Sequence, residues 1–381
     1  VGDLRGIFGI VAWGRLDLGH FVDLALADLD ALVMQAAPGG QHVALETADE
    51  LVVIIDRGFQ PAADALHMFG RDREAIDIFI LHPAGRVSEV QRRQMTTPLE
   101  SNVHAIALDG HFDDCQARLK DMFNHFDFRD EVRLAGVNSI NWARVLAQVV
   151  YYFSSAVSLG APDRKVSFTV PTGNFGDIFA GYIAKKMGLP IDRLVVATNQ
   201  NDILHRCLST GGYVTDTVTP SISPSMDIQV SSNFERALFD AYGRDGNAVA
   251  QLMDELKNGG GFNVSQGALQ ALREHFDSGR VSEEETLATI AMANQSMGEL
   301  LCPHSAIGVK VAEDQRNSDT PMITLATAHP AKFPDAVEKA SGIRPDLPER
   351  MADLFDRDER VTRAANDLTA LETLIKDRIA S

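Results

Sequence analysis

Val166-Ser-Phe-Thr-Val-Pro-Thr-Gly-Asn-Phe-Gly-Asp177, running on into Ile178-Phe-Ala-Gly181, sets the architecture. A β-rich apolar run ends at Pro171, a turn bracketed by Gly173 and Gly176 follows, and a helical pattern starts at once. Strand, short loop and helix in that order are the repeating unit of an α/β protein. The geometry brings several backbone N–H groups and a helix N-terminus to one spot, which suits a phosphate dianion. Glycine permits the close approach and the positive φ that such a turn requires. A bare G-x-x-G is more often an ordinary tight turn. With this context and Asn174, the phosphate reading and the ordinary turn stand level.

The same alternation recurs from about residue 75 onward. Ile76–Leu81 and Val103–Leu108 read as strands, with a serine-capped helix over Ser88–Met95 between them. Phe112–Phe126 sets Leu119, Met122, Phe123 and Phe126 on one helical stripe, and Trp142–Phe153 reads as a largely buried helix. After the strand Val166–Val170 come a helix over Asp177–Met187 and a strand over Leu194–Thr198. That order predicts parallel sheets with flanking helices. Thr217–Ser232 reads as a loop, Asn258–Gly261 as a break, Ser282–Glu285 as a capping box, and Asp346–Ser381 as a charged helical tail.

The chain has 381 residues, a 45% hydrophobic share and a formal charge of −18. That length suits two domains, or three, with a real core. The acidic excess argues against nucleic acid or an anionic membrane as partner. Cys115, Cys207 and Cys302 lie far apart with no C-x-x-C, which suits reduced thiols in the cytoplasm and excludes a cysteine-built metal site. Ile7–Trp13 is too short to span a membrane and makes a poor signal peptide. No metal is expected.

Two further segments carry chemistry. In Val137-Asn-Ser-Ile-Asn-Trp-Ala-Arg144, the residues Asn138, Ser139 and Asn141 place neutral donors at a helix start, and Arg144 adds a planar cationic fork. Taken alone, a plain N-cap with Trp142 in the core is the better reading. Ile323-Thr-Leu-Ala-Thr-Ala-His-Pro-Ala-Lys-Phe333 delivers Thr327 and His329 at a strand's C-terminal end, where open α/β sheets hold their ligands. Thr327 has a hydroxyl for a ring nitrogen, or for capping the next turn. His329 and His304 are more often structural than catalytic residues.

Taken together, 76–97, 138–153, 170–190, 199–213, 220–239 and 326–337 closely resemble the threonine synthase family. The colinear resemblance runs through roughly residues 71–381. It implies a fold type II (tryptophan-synthase-β-like) α/β enzyme that uses pyridoxal 5'-phosphate, and the reaction of O-phospho-L-homoserine with water to give L-threonine and phosphate. By resemblance, Gly173, Asn174, Phe175, Gly176 and Asp177 cradle the cofactor phosphate and Thr327 meets the pyridine nitrogen. Asn138, Ser139, Asn141 and Arg144 hold the substrate phosphate. The division expected is an unmatched segment 1–70, the remainder of a small mobile domain over 71–155, and a large cofactor-binding domain over 156–381.

One departure stands out. The family's lysine-bearing segment and its serine- and glycine-rich loop belong ahead of Ile76, yet the first lysine of the chain is Lys120. No catalytic lysine is therefore assigned. The alternative reading is a relative without that lysine that performs no chemistry.

Overall fold

The computed structural model describes residues 51–56, 76–85, 87, 89–110, 112–136, 141–316 and 320–379. The expectations for Asn138, Ser139 and the Ser88 cap, and all those for residues 1–50, lie outside them. The chain divides into two units: one takes in 47–144 and 347–381, the other 145–346.

The first unit opens with β1 (Leu51–Asp56) and β2 (Ile76–Pro83), followed by α1 (Glu89–Thr96) and β3 (Val103–Leu108). Helices α2 (Phe112–Asn124) and α3 (Phe126–Val132) then lead to β4 (Leu134–Gly136). Every residue of β2 is buried, as befits an apolar run covered on both faces. β2 and β3 are parallel, but β1 is antiparallel to both β2 and β4. The strands that the alternation predicts here, β2 and β3, are parallel as expected. β1 and β4 are additional strands that the sequence reading did not single out, and their direction is encoded by no local pattern.

α4 (Trp142–Ser158) leads into the second unit. Trp142 is 45% exposed, so it is no core residue. The chain continues through β5 (Val166–Pro171), α5 (Gly176–Lys186), β6 (Ile191–Thr198), α6 (Ile203–Thr210) and β7 (Gly212–Val214). After a long loop come α7 (Phe234–Ala241), α8 (Gly246–Gly259), β8 (Gly261–Asn263), α9 (Gln266–Arg273) and β9 (Phe276–Arg280). The unit closes with α10 (Glu283–Met297), α11 (Pro303–Gln315), β10 (Met322–Thr324) and α12 (Pro334–Ser341). The order β10-β5-β6-β9 is parallel throughout, as the alternation predicts. The Ser282–Glu285 capping box is formed in full at the start of α10. Apolar residues of β5, β6, α4 and α5 make one continuous core, with Tyr152, Phe168 and Leu194 fully buried.

The tail does not stay with the second unit. β11 (Val361–Ala364) pairs in parallel with β3, and α13 (Leu368–Ile379) buries Leu371 and Ile375 against Leu119, Met122 and Phe128. The expected domain 156–381 is corrected accordingly: residues from Leu347 on belong with the first unit, because that is where their apolar face is buried. The helical reading of the tail also missed β11, a four-residue strand without a fully buried position.

Candidate active site

The Gly173–Asp177 turn lies at the C-terminal end of β5, a strand buried at all six positions. Thr172 closes the strand, its hydroxyl donating to the Val170 carbonyl at 2.6 Å. A side chain at Gly173 would put its Cβ 2.6 Å from the Ser225 carbonyl oxygen, so glycine is required by contact with backbone. Phe175 stands at φ 64° and turns the chain into α5. Its ring does not face the cradle. It is 1% exposed, edge-on to Phe234 at 5.2 Å and to Phe276 at 5.1 Å. Only the main chain of Phe175 is therefore available to a ligand. Asp177 is likewise engaged, with the Tyr152 hydroxyl 2.8 Å from its carbonyl oxygen and 3.1 Å from Oδ1. What remains is the backbone: a helix's first N–H groups have no partner within the helix, and they carry its positive dipole end.

Thr327 sits on the neighbouring strand's end. β10 pairs with β5 in register Thr324 to Thr169, and Leu325 N–H donates to the Thr169 carbonyl at 3.1 Å. Parallel pairing puts Thr327 and Gly173 past the same edge of one sheet, where such sheets hold ligands. Thr327 N–H donates to the Ser305 hydroxyl at 3.1 Å, and its own Oγ1 lies 3.5 Å from that hydroxyl and 3.6 Å from Cys302 Sγ. The N-terminus of α11 thus fixes Thr327. Helix α11 approaches this closely because of Gly308, where a Cβ would meet Thr324 and Pro171 at 2.7 and 3.0 Å.

The histidines nearby are structural. His329 Nδ1 accepts from Ala331 N–H at 3.2 Å and caps the turn that follows. His304 is fully enclosed, its ring 4.7 Å from that of Phe333, and among the described residues neither ring nitrogen has a hydrogen-bond partner. Burial, with the Lys332 charge second, pushes it from 6.5 down to about 3. The unfolded chain therefore takes up this proton first, so stability present above about pH 6.5 is lost as pH falls toward 3. Between pH 7 and 5 the loss should be about 2 kcal/mol from this ring. Urea titrations at both pH values test this: His304→Leu should fall by that much less than the parent chain, and an equal fall would refute it.

In the first unit, Asn141 donates from Nδ2 to the Gly136 carbonyl at 2.9 Å, and its own carbonyl accepts from Arg144 N–H at 3.1 Å. One N–H of the Asn141 side-chain amide is thus committed to the main chain, and Arg144 is half-buried. Sequence reasoning missed Tyr152, Ser305, Ser231 and Asn233. The last two donate to the Gly173 and Asn174 carbonyls at 2.8 and 3.0 Å.

A parallel α/β sheet with a glycine-bracketed turn and a hydroxyl past one edge is an arrangement compatible with the class of pyridoxal-phosphate-dependent enzymes. Residues 305–375 match the family model for the C-terminal part of threonine synthase. Threonine synthase of Pseudomonas aeruginosa is 53% identical over 357 residues, which are 93% of this chain and 74% of that protein. That of Corynebacterium glutamicum is 42% identical, covering 96% and 77%. Both shares exceed what residues 71–381 alone provide, so the match takes in part of the first seventy residues. Among solved structures, the PLP-bound threonine synthase from Brucella melitensis superposes with a TM-score of 0.79 at 56% identity, covering 84% of this chain and 69% of that one. The yeast enzyme gives 0.75 at 40% identity, covering 84% and 68%. The chain belongs to the threonine synthase family.

The residues present fit the phosphate end of the cofactor. Gly173 lets the Ser225 main chain pack directly against the back of the turn, where a Cβ would clash, and the first N–H groups of α5 are donors of the kind a phosphate needs. The lysine for the aldehyde end is not assigned. Cys115, Cys207 and Cys302 are free and buried. Among the described residues no helix is long and apolar enough to cross a membrane, and no group of three acidic, histidine or cysteine residues is set to hold a metal.

Proposed function

We propose that this chain converts O-phospho-L-homoserine and water to L-threonine and phosphate in the cytoplasm, with no nucleic-acid or membrane partner. The observation that carries the reading is the placement of the Gly173–Asp177 turn and Thr327 beyond adjacent parallel strand ends. When bound, pyridoxal phosphate supplies the electron sink that such an elimination and hydration needs. Backbone N–H groups of residues 173–177 hold its phosphate through the helix dipole and charge-assisted bonds. Thr327 offers a neutral hydroxyl to the ring nitrogen, held in place through Ser305. Ser139, Asn138, Asn141 and Arg144 take the substrate phosphate, with Arg144 as the bidentate fork.

Threonine and inorganic phosphate released in equal amounts from O-phospho-L-homoserine would support the reading. Cofactor binding without turnover would favour the inactive relative instead, although identities of 53% and 42% to threonine synthases favour the enzyme. Arg144→Lys keeps the charge but loses the fork, so KM should rise about tenfold and turnover fall with cofactor content unchanged. A variant that loses cofactor yet binds substrate normally would mean the two anion sites are exchanged.

A further inference from the structure

The turn that cradles the phosphate is held from behind by a loop with almost no regular structure of its own. Among the described residues the one cis peptide is Ala161-Pro162, so each peptide of the turn is trans. In a trans peptide the carbonyl and the following N–H point in opposite directions. Ser231 Oγ donates to the Gly173 carbonyl at 2.8 Å, and Asn233 donates to the Asn174 carbonyl from both N and Nδ2 at 3.0 Å. Fixing those two carbonyls toward the loop therefore fixes the N–H groups of Asn174 and Phe175 toward the other side. Together with the N-terminus of α5, they make a concave set of donors for an anion.

The loop needs an anchor, because between Thr217 and Asn233 only Pro224–Met226 is helical. Asp227 provides it. Its Oδ1 accepts from Asn199 Nδ2 at 2.8 Å, from Asn201 Nδ2 at 2.8 Å and from Ser221 Oγ at 2.6 Å, while Oδ2 accepts from Ser221 N–H at 2.7 Å. The two asparagines lie just past Thr198, where β6 ends. Asn201 also exchanges paired bonds with the main chain of Thr219, at 2.9 and 2.8 Å. Burial pushes the Asp227 carboxyl up, and the bonds from Ser221, Asn199 and Asn201 draw it part of the way back. Four convergent donors require an acceptor-only group, which a carboxylate is and an amide is not. The knot ties the loop to the end of β6, and the loop ties the turn at the end of β5, the adjacent strand.

We infer that the segment Ser221–Asn233, knotted by Asp227, is the positioning framework of the cofactor phosphate, with Asn233 and Ser231 acting on the turn and Asp227 acting through them. The inference rests on the cradle reading above. None of these side chains is assigned to the cofactor or the substrate.

Pyridoxamine 5'-phosphate and pyridoxamine are the probes, since neither can attach to a lysine and they differ only in the phosphate. The parent chain should bind the phosphorylated probe at least tenfold more tightly. Asp227→Asn and Asn233→Ala should each remove most of that preference while leaving pyridoxamine binding within about twofold, with melting temperature and near-ultraviolet dichroism confirming the fold. Asn233→Ala touches the turn directly and carries the test if Asp227→Asn fails to fold. A parent chain without preference overturns the cradle reading itself, and this inference with it. A parent preference that folded Asn233→Ala retains in full, or a variant that weakens both probes equally, overturns the inference alone.

Discussion

A Gly173→Ala protein should keep its fold and lose at least about 100-fold in affinity for pyridoxal phosphate. The new methyl carbon would lie 2.6 Å from the Ser225 carbonyl oxygen and 3.5 Å from Met226 Cα. Those atoms are main chain, in a loop that Asp227 ties down through four bonds, so they yield little. The turn must move instead, and the donors move with it. Each hydrogen bond to a charged group is worth roughly 1.5–3 kcal/mol. Misaligning two of them accounts for the loss. Fluorescence titration with pyridoxal phosphate measures it, and Gly267→Ala serves as control, because a Cβ at that helical position meets nothing within 4 Å. Parent-like affinity in Gly173→Ala, with the control also parent-like, would show that the turn has room to spare and that its N–H groups do not set phosphate binding.

The part of this arrangement that the sequence reveals is the part written in local pattern. Val103–Leu108 is a strand with the bounds its apolar alternation predicts, and the helix after Gly176 begins where the glycine-bracketed turn ends. Both follow from contiguous residues that share one period. β11 has no such signature. Val361-Thr-Arg-Ala364 reads as part of a charged tail, and only pairing with β3, more than 250 positions earlier, makes it a strand. The direction of β1 and β4 is similarly a product of neighbours. Asp227 and Asn233 show the same limit at the site. In sequence they are two polar residues in a loop rich in serine and proline, and loops of that composition are usually solvated. Asn233 is 1% exposed, and that burial is what separates a framework residue from a surface one. Phe175 marks the opposite failure: its place in the phosphate turn suggests contact with ligand, while its ring is enclosed by the aromatic core.

That enclosure leads to the largest stability effect expected of any single substitution at the turn. Phe175→Ala should cost about 3–5 kcal/mol, the usual loss for deleting a buried aromatic ring. The ring bridges Phe234 of α7 and Phe276 of β9, so its removal opens a cavity where helix and sheet meet. Phe175→Gly deletes the same ring and one carbon more, and in most settings glycine would be the worse choice by about 1 kcal/mol. Here the order should reverse. Phe175 has φ 64° and ψ 3°, a left-handed conformation that costs an ordinary residue roughly 1–2 kcal/mol and glycine almost nothing. Alanine keeps that strain, whereas glycine releases it. Urea midpoints should therefore run parent above Phe175→Gly above Phe175→Ala. If alanine proves the more stable of the two, the backbone at 175 is not held left-handed, and the redirection of the chain from β5 into α5 must come from elsewhere. The parent protein accepts that strain because the buried ring more than offsets it, and the ring anchors the start of α5 at the Gly173 turn.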